Sequence, residues 1–158
     1  MARKTLPAGT QMVAKNRKAR HNYFIEDSIE AGLVLTGTEV KSLRAGHATL
    51  GDAYAVEKGG EMFLVNAHIS EYSGGNMENH EPLRARKLLL HKREIIRMID
   101  ATQRKGMTIV PLSLYFNRRG VAKVNLGFAK GKRQYDKRAT VKEREWKRDK
   151  ARLMKDRG

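Results

Sequence analysis

Cysteine is absent from the 158 residues of the chain, proline occurs only three times, and no hydrophobic run approaches the length of a membrane span. Without cysteine there are no disulfides and no zinc sites built on thiolates, which fits a cytoplasmic protein. A membrane span needs about 20 consecutive apolar residues, so we expect no transmembrane helix. The basic stretch 1–20 lacks the apolar core of a secretory signal, and we expect none.

Patterns typical of catalytic or metal sites are also missing. The five histidines have no helical H-x-x-x-H spacing, and no serine lies in a G-x-S-x-G setting. The stretch "GFAKGKR" at 127–133 has three residues between its glycines where a phosphate-binding loop has four. Glu26, Asp27 and Glu30 are close in sequence, but a solvated turn explains them as well as acid/base chemistry does. We therefore expect no catalysis, no cofactor and no metal site.

Positive charge dominates the composition. The chain carries 33 Lys and Arg against 17 Asp and Glu, a formal net charge of +16 at pH 7. Repulsion on this scale opposes a compact state unless a polyanion neutralises it, so nucleic acid is the leading partner and an anionic membrane surface the other candidate. Residues 130–158 hold 13 Lys and Arg against 5 Asp and Glu, which is half of the excess. We expect a folded body over residues 1–130 and a basic tail over 131–158.

The basic tail has a narrow apolar stripe. Ala139, Trp146 and Leu153 are spaced seven residues apart, and Met154 follows the last of them, so a helix would carry all four on one face. So narrow a stripe cannot offset the entropy of ordering the tail, roughly 1–2 kcal/mol per residue for the backbone. We expect a tail that is disordered when free and helical on an anionic partner. A permanently solvated tail and a nuclear localisation signal are the alternatives.

Several stretches combine cations with groups that contact bases or sugars. Tyr135, inside "GKRQYDKR", can stack on an unpaired base while its neighbours hold phosphates. In the body, "RKARHNY" at 17–23 and "RARKLLLHKRE" at 84–94 carry lysines and arginines that we expect to set affinity and salt dependence. Glu30 is unusual in this company. A salt bridge to a nearby arginine and an acceptor for a base edge or ribose hydroxyl explain it equally well.

The body is predicted to consist mainly of short strands. "FIEDSIEAGLVLTG" at 24–37 is rich in β-branched and apolar residues and ends in glycine. "DAYAVEKGGEMFLVNAHI" at 52–69 contains two strand-like runs around a Lys-Gly-Gly turn, a strong hairpin signal. A second hairpin is predicted around residues 117–120. Pro111, in the first strand of that hairpin, predicts an edge or a bulge.

Two helices are predicted between the strands. One covers 38–44, with Thr38 as its N-cap, and the other covers 91–105 and ends at Gly106. The fold class is therefore mainly β with helices, a small antiparallel barrel whose openings the helices cover. Barrels of this size with basic faces often bind oligonucleotides, the OB-fold being the usual example. The second helix places on one face Ile95, Met98, Ile99 and Thr102.

Taken together, several segments resemble the SsrA-binding protein family, also called small protein B. The resemblance covers nearly the whole chain in order, and the motifs "GTEVKSLR" and "GKRQYDKR" are specific to that family. The segments are "EAGLVLTGTEVKSLRAG" at 30–46, "LGDAYA" at 50–55, "NAHI" at 66–69, "RARKLLLHKREI" at 84–95, "GMTIVPLSLYF" at 106–116 and "LGFAKGKRQYDKR" at 126–138.

The resemblance implies an OB-fold-like β-barrel that binds the tRNA-like domain of transfer-messenger RNA. With elongation factor Tu and GTP, such a protein delivers this RNA to bacterial ribosomes stalled on messages without a stop codon. It stands in for the missing anticodon arm, and its tail enters the message channel and the empty decoding centre of the 16S rRNA. The implied partners are therefore RNA, ribosome and elongation factor Tu, with no membrane and no bond made or broken by the protein.

The resemblance also implies roles for residues, position by position. Arg133 stands where lysine is common in the family, which preserves the charge, and His91 stands where asparagine also occurs. With the family in view, Glu30 is interpreted as a functional acceptor. The implied RNA-facing residues of the body are Lys18, Arg20, His21, Glu30, Leu89, His91 and Lys123. The implied decoding residues of the tail are Gly131, Lys132, Arg133, Tyr135, Asp136, Lys137 and Arg138, followed by Trp146, Leu153 and Met154 in its helix.

Two other classes of protein remain open at this point. A general single-strand-binding barrel would bind any RNA of equal length alike at matched salt, because phosphate contacts carry no sequence information. A structural ribosomal protein would be present on every ribosome at equal stoichiometry, whereas a rescue factor would be enriched on stalled ribosomes.

Overall fold

The structure, a computed structural model, describes residues 7–73 and 78–131 and, beyond them, only Arg148. Within the two ranges the chain has nine strands and three helices, as the mainly β prediction requires. The helices are α1 (Arg17–Asn22), α2 (Gly37–Arg44) and α3 (Lys92–Gln103). The strands are β1 (Gln11–Lys15), β2 (Tyr23–Leu33), β3 (Ala48–Thr49), β4 (Tyr54–Lys58), β5 (Glu61–Val65), β6 (His68–Ile69), β7 (Arg86–Leu89), β8 (Thr108–Phe116) and β9 (Ala122–Gly131).

Seven strands form one antiparallel sheet in the order β1-β8-β4-β5-β7-β2-β9, and β9 pairs in addition with β8. The longest ladders join β9 to β2 and β9 to β8. The short strands β3 and β6 pair with each other separately. Because successive side chains of a strand point to opposite faces of the sheet, those of β9 alternate between the core and the opposite face.

The core lies against one side of β9. Val124, Leu126 and Phe128 belong to the main buried cluster, and α2 and α3 add Leu43 and Met98 to it. Burying an aliphatic or methionine side chain contributes about 1.5–3 kcal/mol, so this packing holds both helices against the sheet. The apolar face predicted for the second helix is therefore confirmed.

Both predicted hairpins are present. Gly59 and Gly60 join β4 to β5 with φ angles of +63° and +81°, the left-handed conformation that a two-residue hairpin turn of this kind requires. Gly120, with a φ of +77°, lies in the turn between β8 and β9. The ladder between these two strands shifts register between Pro111 and Ser113, so the bulge predicted from the proline is confirmed.

The start of α2 differs from the prediction. Thr36, not Thr38, is the N-cap: its hydroxyl accepts from the Glu39 backbone N–H at 3.4 Å, and the Glu39 carboxylate accepts from the Thr36 N–H at 2.9 Å. This reciprocal pair is a capping box, which needs a glutamate three residues after the cap. Thr38 has no such partner in the sequence and is the second residue of the helix.

Two further expectations about local structure were wrong or incomplete. No helix was predicted within 17–23, yet α1 forms there because Asn16 caps it, its side-chain oxygen accepting from the Ala19 N–H at 3.1 Å. Glu26 and Asp27 lie on β2, within the stretch 24–37 that is predicted to be strand-like, and not in the solvated turn considered for them: Glu26 pairs with Lys130 and Asp27 with Arg97.

Candidate nucleic-acid interface

The side of β9 that faces away from the core is the framework of the candidate interface. Its residues are Lys123, Asn125, Gly127 and Ala129, which alternate with the core residues. Directly paired residues on neighbouring strands place their side chains on the same side of a sheet. We call this side of β2, β9 and β8 the outer face.

One row of paired residues crosses the outer face near the C-terminal end of β8. Lys123 pairs with Gly32 on β2 and with Tyr115 on β8. The row continues through Gly32 to Leu89 on β7, and through Tyr115 to Met12 on β1. Five strands that are distant in sequence therefore place one residue each in a single line, and two of the predicted RNA-facing residues belong to it.

Glu30 belongs to the same region. It lies two residues before Gly32 on β2, so its side chain is on the same side of the strand, and it pairs directly with Asn125. The structure thus brings Glu30, Leu89 and Lys123 together on the outer face. Leu89 is 53% exposed, a large apolar side chain available to a partner.

Gly32 makes room for Leu89 in this row. A Cβ atom built on Gly32 would lie 3.2 Å from the Leu89 Cβ and 3.4 Å from its Cδ1. A side chain at this position would therefore require Leu89 to shift by a few tenths of an ångström. No sequence pattern indicated that Gly32 helps to shape the site.

The Glu30 carboxylate is held by a tyrosine. The Tyr115 hydroxyl donates a hydrogen bond of 2.5 Å to Glu30 Oε2, although Tyr115 is on β8 and Glu30 on β2. Tyr115 is buried, and burial together with this carboxylate raises the pKa of its phenol well above the usual value. None of the salt bridges within the described ranges involves Glu30, so the arginine partner considered from the sequence is not found there.

α1 covers the other end of the outer face. Its Ala19 packs with Val110, Leu112 and Ala129 in a second small cluster, which fixes the helix on β8 and β9. Asn16 anchors the start of the helix through hydrogen bonds from its amide to the Leu50 carbonyl at 3.1 Å and the Pro111 carbonyl at 2.8 Å.

The cations of α1 face outward. Arg20 and His21 are exposed, and no salt bridge in the described part of the chain involves either of them. Lys18 pairs with Asp52 at 3.1 Å, but both side chains are more than half exposed, so the pair contributes at most about 1 kcal/mol and leaves Lys18 available.

The two groups of predicted residues thus share one face. Lys123 and Ala129 are six residues apart on β9, roughly 20 Å at about 3.3 Å per residue. α1 lies near Ala129, and the row with Leu89 lies near Lys123. A partner that contacted both groups would need to span about that distance, which is close to the width of a nucleic-acid double helix rather than of a single base.

His91 lies beside this face at the start of α3. It follows Leu89 by two residues and is exposed. Its backbone N–H donates to the Glu94 carboxylate at 2.9 Å, which orients the residue at the first turn of the helix. The structure therefore brings all seven predicted body residues to the outer face or its border.

Not every cation in the stretch 84–94 is available for a partner. Arg86 is fully buried and donates to Glu39, and Arg84 donates to the same carboxylate at 2.5 Å. Lys87 pairs with Glu61 at 2.9 Å. The expectation that the arginines here contact RNA is therefore wrong for Arg86, whose charge is used inside the fold.

The predicted tail residues are largely beyond the described ranges. Gly131 is the last residue of β9 and pairs with Tyr23 on β2. The structure does not describe Lys132, Arg133, Tyr135, Asp136, Lys137, Arg138, Trp146, Leu153 and Met154.

Within residues 7–73 and 78–131, no group of three or more His, Asp or Glu side chains has an arrangement that could hold a metal ion. None of the helices in the same ranges combines the length and the apolar character needed to cross a bilayer.

The fold and the outer face together define a small, strongly basic, mainly β protein that presents cations, a carboxylate and exposed apolar side chains on one side of its sheet.

The chain belongs to the SmpB protein family, whose model matches residues 13–156. A relative from Methylobacterium nodulans, named "SsrA-binding protein", is 59% identical over 158 residues, 100% of both chains. One from Zymomonas mobilis with the same name is 58% identical over 149 residues, 94% of this chain and 93% of the relative.

A solved structure is also similar. It is described as "tmRNA-SmpB: a journey to the center of the bacterial ribosome" and has 51% sequence identity and a TM-score of 0.65. The match covers 76% of this chain and 84% of that one. The family resemblance read from the sequence motifs is therefore confirmed.

Proposed function

We propose that this protein is the RNA-binding protein of trans-translation. It binds the tRNA-like domain of transfer-messenger RNA, delivers that RNA to stalled ribosomes, and places its C-terminal tail in the empty decoding centre and message channel. The stalled chain is then rescued and tagged. The protein itself makes and breaks no bond.

The convergence of Glu30, Leu89 and Lys123 on the outer face is the observation that carries the proposal. Lysine supplies attraction to phosphate without sequence information, whereas a carboxylate repels phosphate and accepts only from donors. A carboxylate on a cationic face therefore favours an RNA that presents a base amino group or a ribose hydroxyl at that point. This combination supports recognition of one folded RNA over any polyanion.

The identity of the RNA in this proposal is supported by the family to which the chain belongs. Relatives that are about 59% identical over the full chain are named SsrA-binding proteins, and the similar solved structure concerns transfer-messenger RNA and SmpB in the bacterial ribosome. Since Lys18, Arg20 and His21 of α1 share a face with the row around Lys123, we propose that both groups contact the tRNA-like domain. The strand pairings, in which β9 returns to β8, support an OB-fold-like barrel as the unit that binds it.

The tail has a separate role in this proposal. Residues 1–130 form the RNA-binding barrel, and residues 131–158 are a tail that is disordered in the free protein and becomes helical on the ribosome. The motif Gly131–Arg138 reads the empty decoding centre, and the helix with Trp146, Leu153 and Met154 enters the message channel. Elongation factor Tu with GTP accompanies the delivered complex, which works in the cytoplasm.

A competition experiment tests the proposal. The full-length protein is titrated with the tRNA-like domain and with an unrelated RNA of equal length at the same salt concentration. We expect a preference above about tenfold for the tRNA-like domain, because phosphate contacts alone give none. Equal affinities would show a general single-strand-binding barrel instead.

A truncation separates the two parts. A chain that ends after Gly131, the last residue of β9, is expected to keep its affinity for the tRNA-like domain and to lose tagging of stalled chains in a reconstituted translation assay. Loss of RNA binding at moderate salt would contradict the division of roles.

A further inference from the structure

Tyr115 is a buried side chain on the outer face itself, directly paired with Lys123. It is 3% exposed, and its strand β8 is separated from β2 by β9. Its side chain nevertheless extends across β9 to donate the 2.5 Å hydrogen bond to Glu30. Met12 and Lys123 pair with it on either side, so the ring lies within the row that crosses the outer face.

This hydrogen bond leaves one half of the carboxylate free. Tyr115 occupies Glu30 Oε2, and within the described ranges no donor reaches Oε1. A hydrogen bond from a hydroxyl to a carboxylate is among the stronger ones in proteins, typically 2.5–2.7 Å long. Because an ionised carboxylate only accepts, the free oxygen is an acceptor with a fixed direction.

We propose that Tyr115 is a positioning residue, which holds Glu30 so that Oε1 accepts a hydrogen bond from a base amino group or a ribose 2′-hydroxyl of the bound RNA. The proposal rests on the RNA-binding function proposed above and adds the residue that orients its acceptor. Without Tyr115 the exposed glutamate would sample several rotamers, and ordering it would lower the affinity. Tyr115 itself touches no RNA in this account.

A double-mutant cycle tests the proposal with the full-length protein. Tyr115→Phe, Glu30→Ala and the double variant are titrated with the tRNA-like domain of transfer-messenger RNA at one salt concentration. We expect Tyr115→Phe to weaken binding about fivefold, the usual effect of one hydrogen bond, with an unchanged affinity for an unrelated RNA of equal length. In the Glu30→Ala background the same substitution should change the affinity less than about twofold.

The outcomes are distinguishable. If Tyr115→Phe binds like the wild type, or if its effect is the same with and without Glu30, Tyr115 does not position the carboxylate. If the wild type does not discriminate between the two RNAs, the proposed function fails first. Tyr72→Phe, which removes a hydroxyl from a tyrosine whose ring lies against Lys41 of α2 and away from the outer face, is the matched control and should bind like the wild type.

A second variant keeps the test valid if Tyr115→Phe folds poorly. Glu30→Asp retains the charge but shortens the side chain, so its carboxylate cannot reach the Tyr115 hydroxyl from the same strand position. We expect a loss of affinity close to that of Tyr115→Phe and a modestly lower melting temperature, because the buried Tyr115 hydroxyl loses its partner. Wild-type affinity for Glu30→Asp would overturn the proposal.

Discussion

The buried pair of Glu39 and Arg86 offers the sharpest test of how the fold is held together. Both side chains are fully buried. The Glu39 carboxylate accepts from Arg86, from Arg84 and from the Thr36 backbone N–H. Arg86 in turn donates to the Ala67 carbonyl at 2.7 Å and to the Pro82 carbonyl at 3.1 Å. The pair thus joins α2, β7 and two loops.

The substitution Glu39→Gln removes the charge and keeps the shape. An amide has one acceptor oxygen where the carboxylate has two, so at least one donor loses its partner and the buried Arg86 loses its counter-charge. Breaking a buried pair in this way costs about 3–5 kcal/mol. Since domains are stable by about 5–15 kcal/mol, the variant should fold but melt on the order of 10 °C lower.

Urea unfolding at pH 7 measures this loss. The matched control is Glu61→Gln, because Glu61 pairs with Lys87 at 2.9 Å while both side chains remain more than 40% exposed. We expect the control to lose less than about 1 kcal/mol. If Glu39→Gln lost no more than the control, the buried network would not hold the fold in the way the geometry indicates.

Further predictions concern pH, the site and the tail. Burial alone would raise the pKa of Glu39, but hydrogen bonds from Arg84, from the Thr36 backbone and from Arg86 hold it below the usual value. The contribution of the ionised Glu39 to stability is therefore complete above about pH 4.3, the usual pKa, and is lost as the pH falls through the lower pKa of the folded state. The difference in unfolding free energy between wild type and Glu39→Gln should consequently shrink below about pH 4. Gly32→Ala should displace Leu89 and weaken binding of the tRNA-like domain about fivefold, roughly 1 kcal/mol, with little change in melting temperature. Lys123→Gln should weaken binding and reduce the slope of log affinity against log salt by about 1. Trp146→Ala, outside the described residues, should impair tagging and leave the melting temperature unchanged.

Each of these has a control and a contradicting result. Gly37→Ala controls for the added methyl group, because a Cβ on Gly37, the first residue of α2, would have no atom within 4 Å. Lys58→Gln, in the β4–β5 hairpin, controls for the lost charge. The pH prediction is contradicted if the difference in unfolding free energy between wild type and Glu39→Gln stays the same below about pH 4. The two site predictions are contradicted if Gly32→Ala or Lys123→Gln affects binding no more than its control. A lower melting temperature for Trp146→Ala would contradict the prediction for the tail.

Much of the fold was predictable because its signals are local. The glycine pairs and turns of both hairpins, the apolar stripe of α3 and the proline bulge in β8 depend on neighbouring residues only. The N-cap of α2 was misplaced because two threonines compete, and only the pairing of Thr36 with Glu39 decides between them. α1 was missed because its six residues are too few for a periodic pattern and its cap, Asn16, is fixed by distant carbonyls.

The site was predictable only in part, because it depends on contacts between residues that are distant in the sequence. Glu30 was noticed as a carboxylate among cations and Lys123 was carried over by position from the family, whereas their meeting on one face depends on strand pairings far apart in sequence. Tyr115 could not be found from a pattern, because it reads as an ordinary core residue of β8 and acts through a bond that crosses β9. Arg86 was misread because charge alone does not show whether an arginine faces solvent or a buried carboxylate.

Hydroxyl-radical footprinting of the protein, free and bound to the tRNA-like domain, tests the central claim most directly. Leu89 on the outer face and Ile96 on α3 are both more than half exposed, at 53% and 59%, so both should react in the free protein. We predict that the RNA protects Leu89 strongly and leaves Ile96 as reactive as before. Equal protection of both, or a Leu89 that stays fully reactive in the complex, would contradict recognition of the RNA by the outer face.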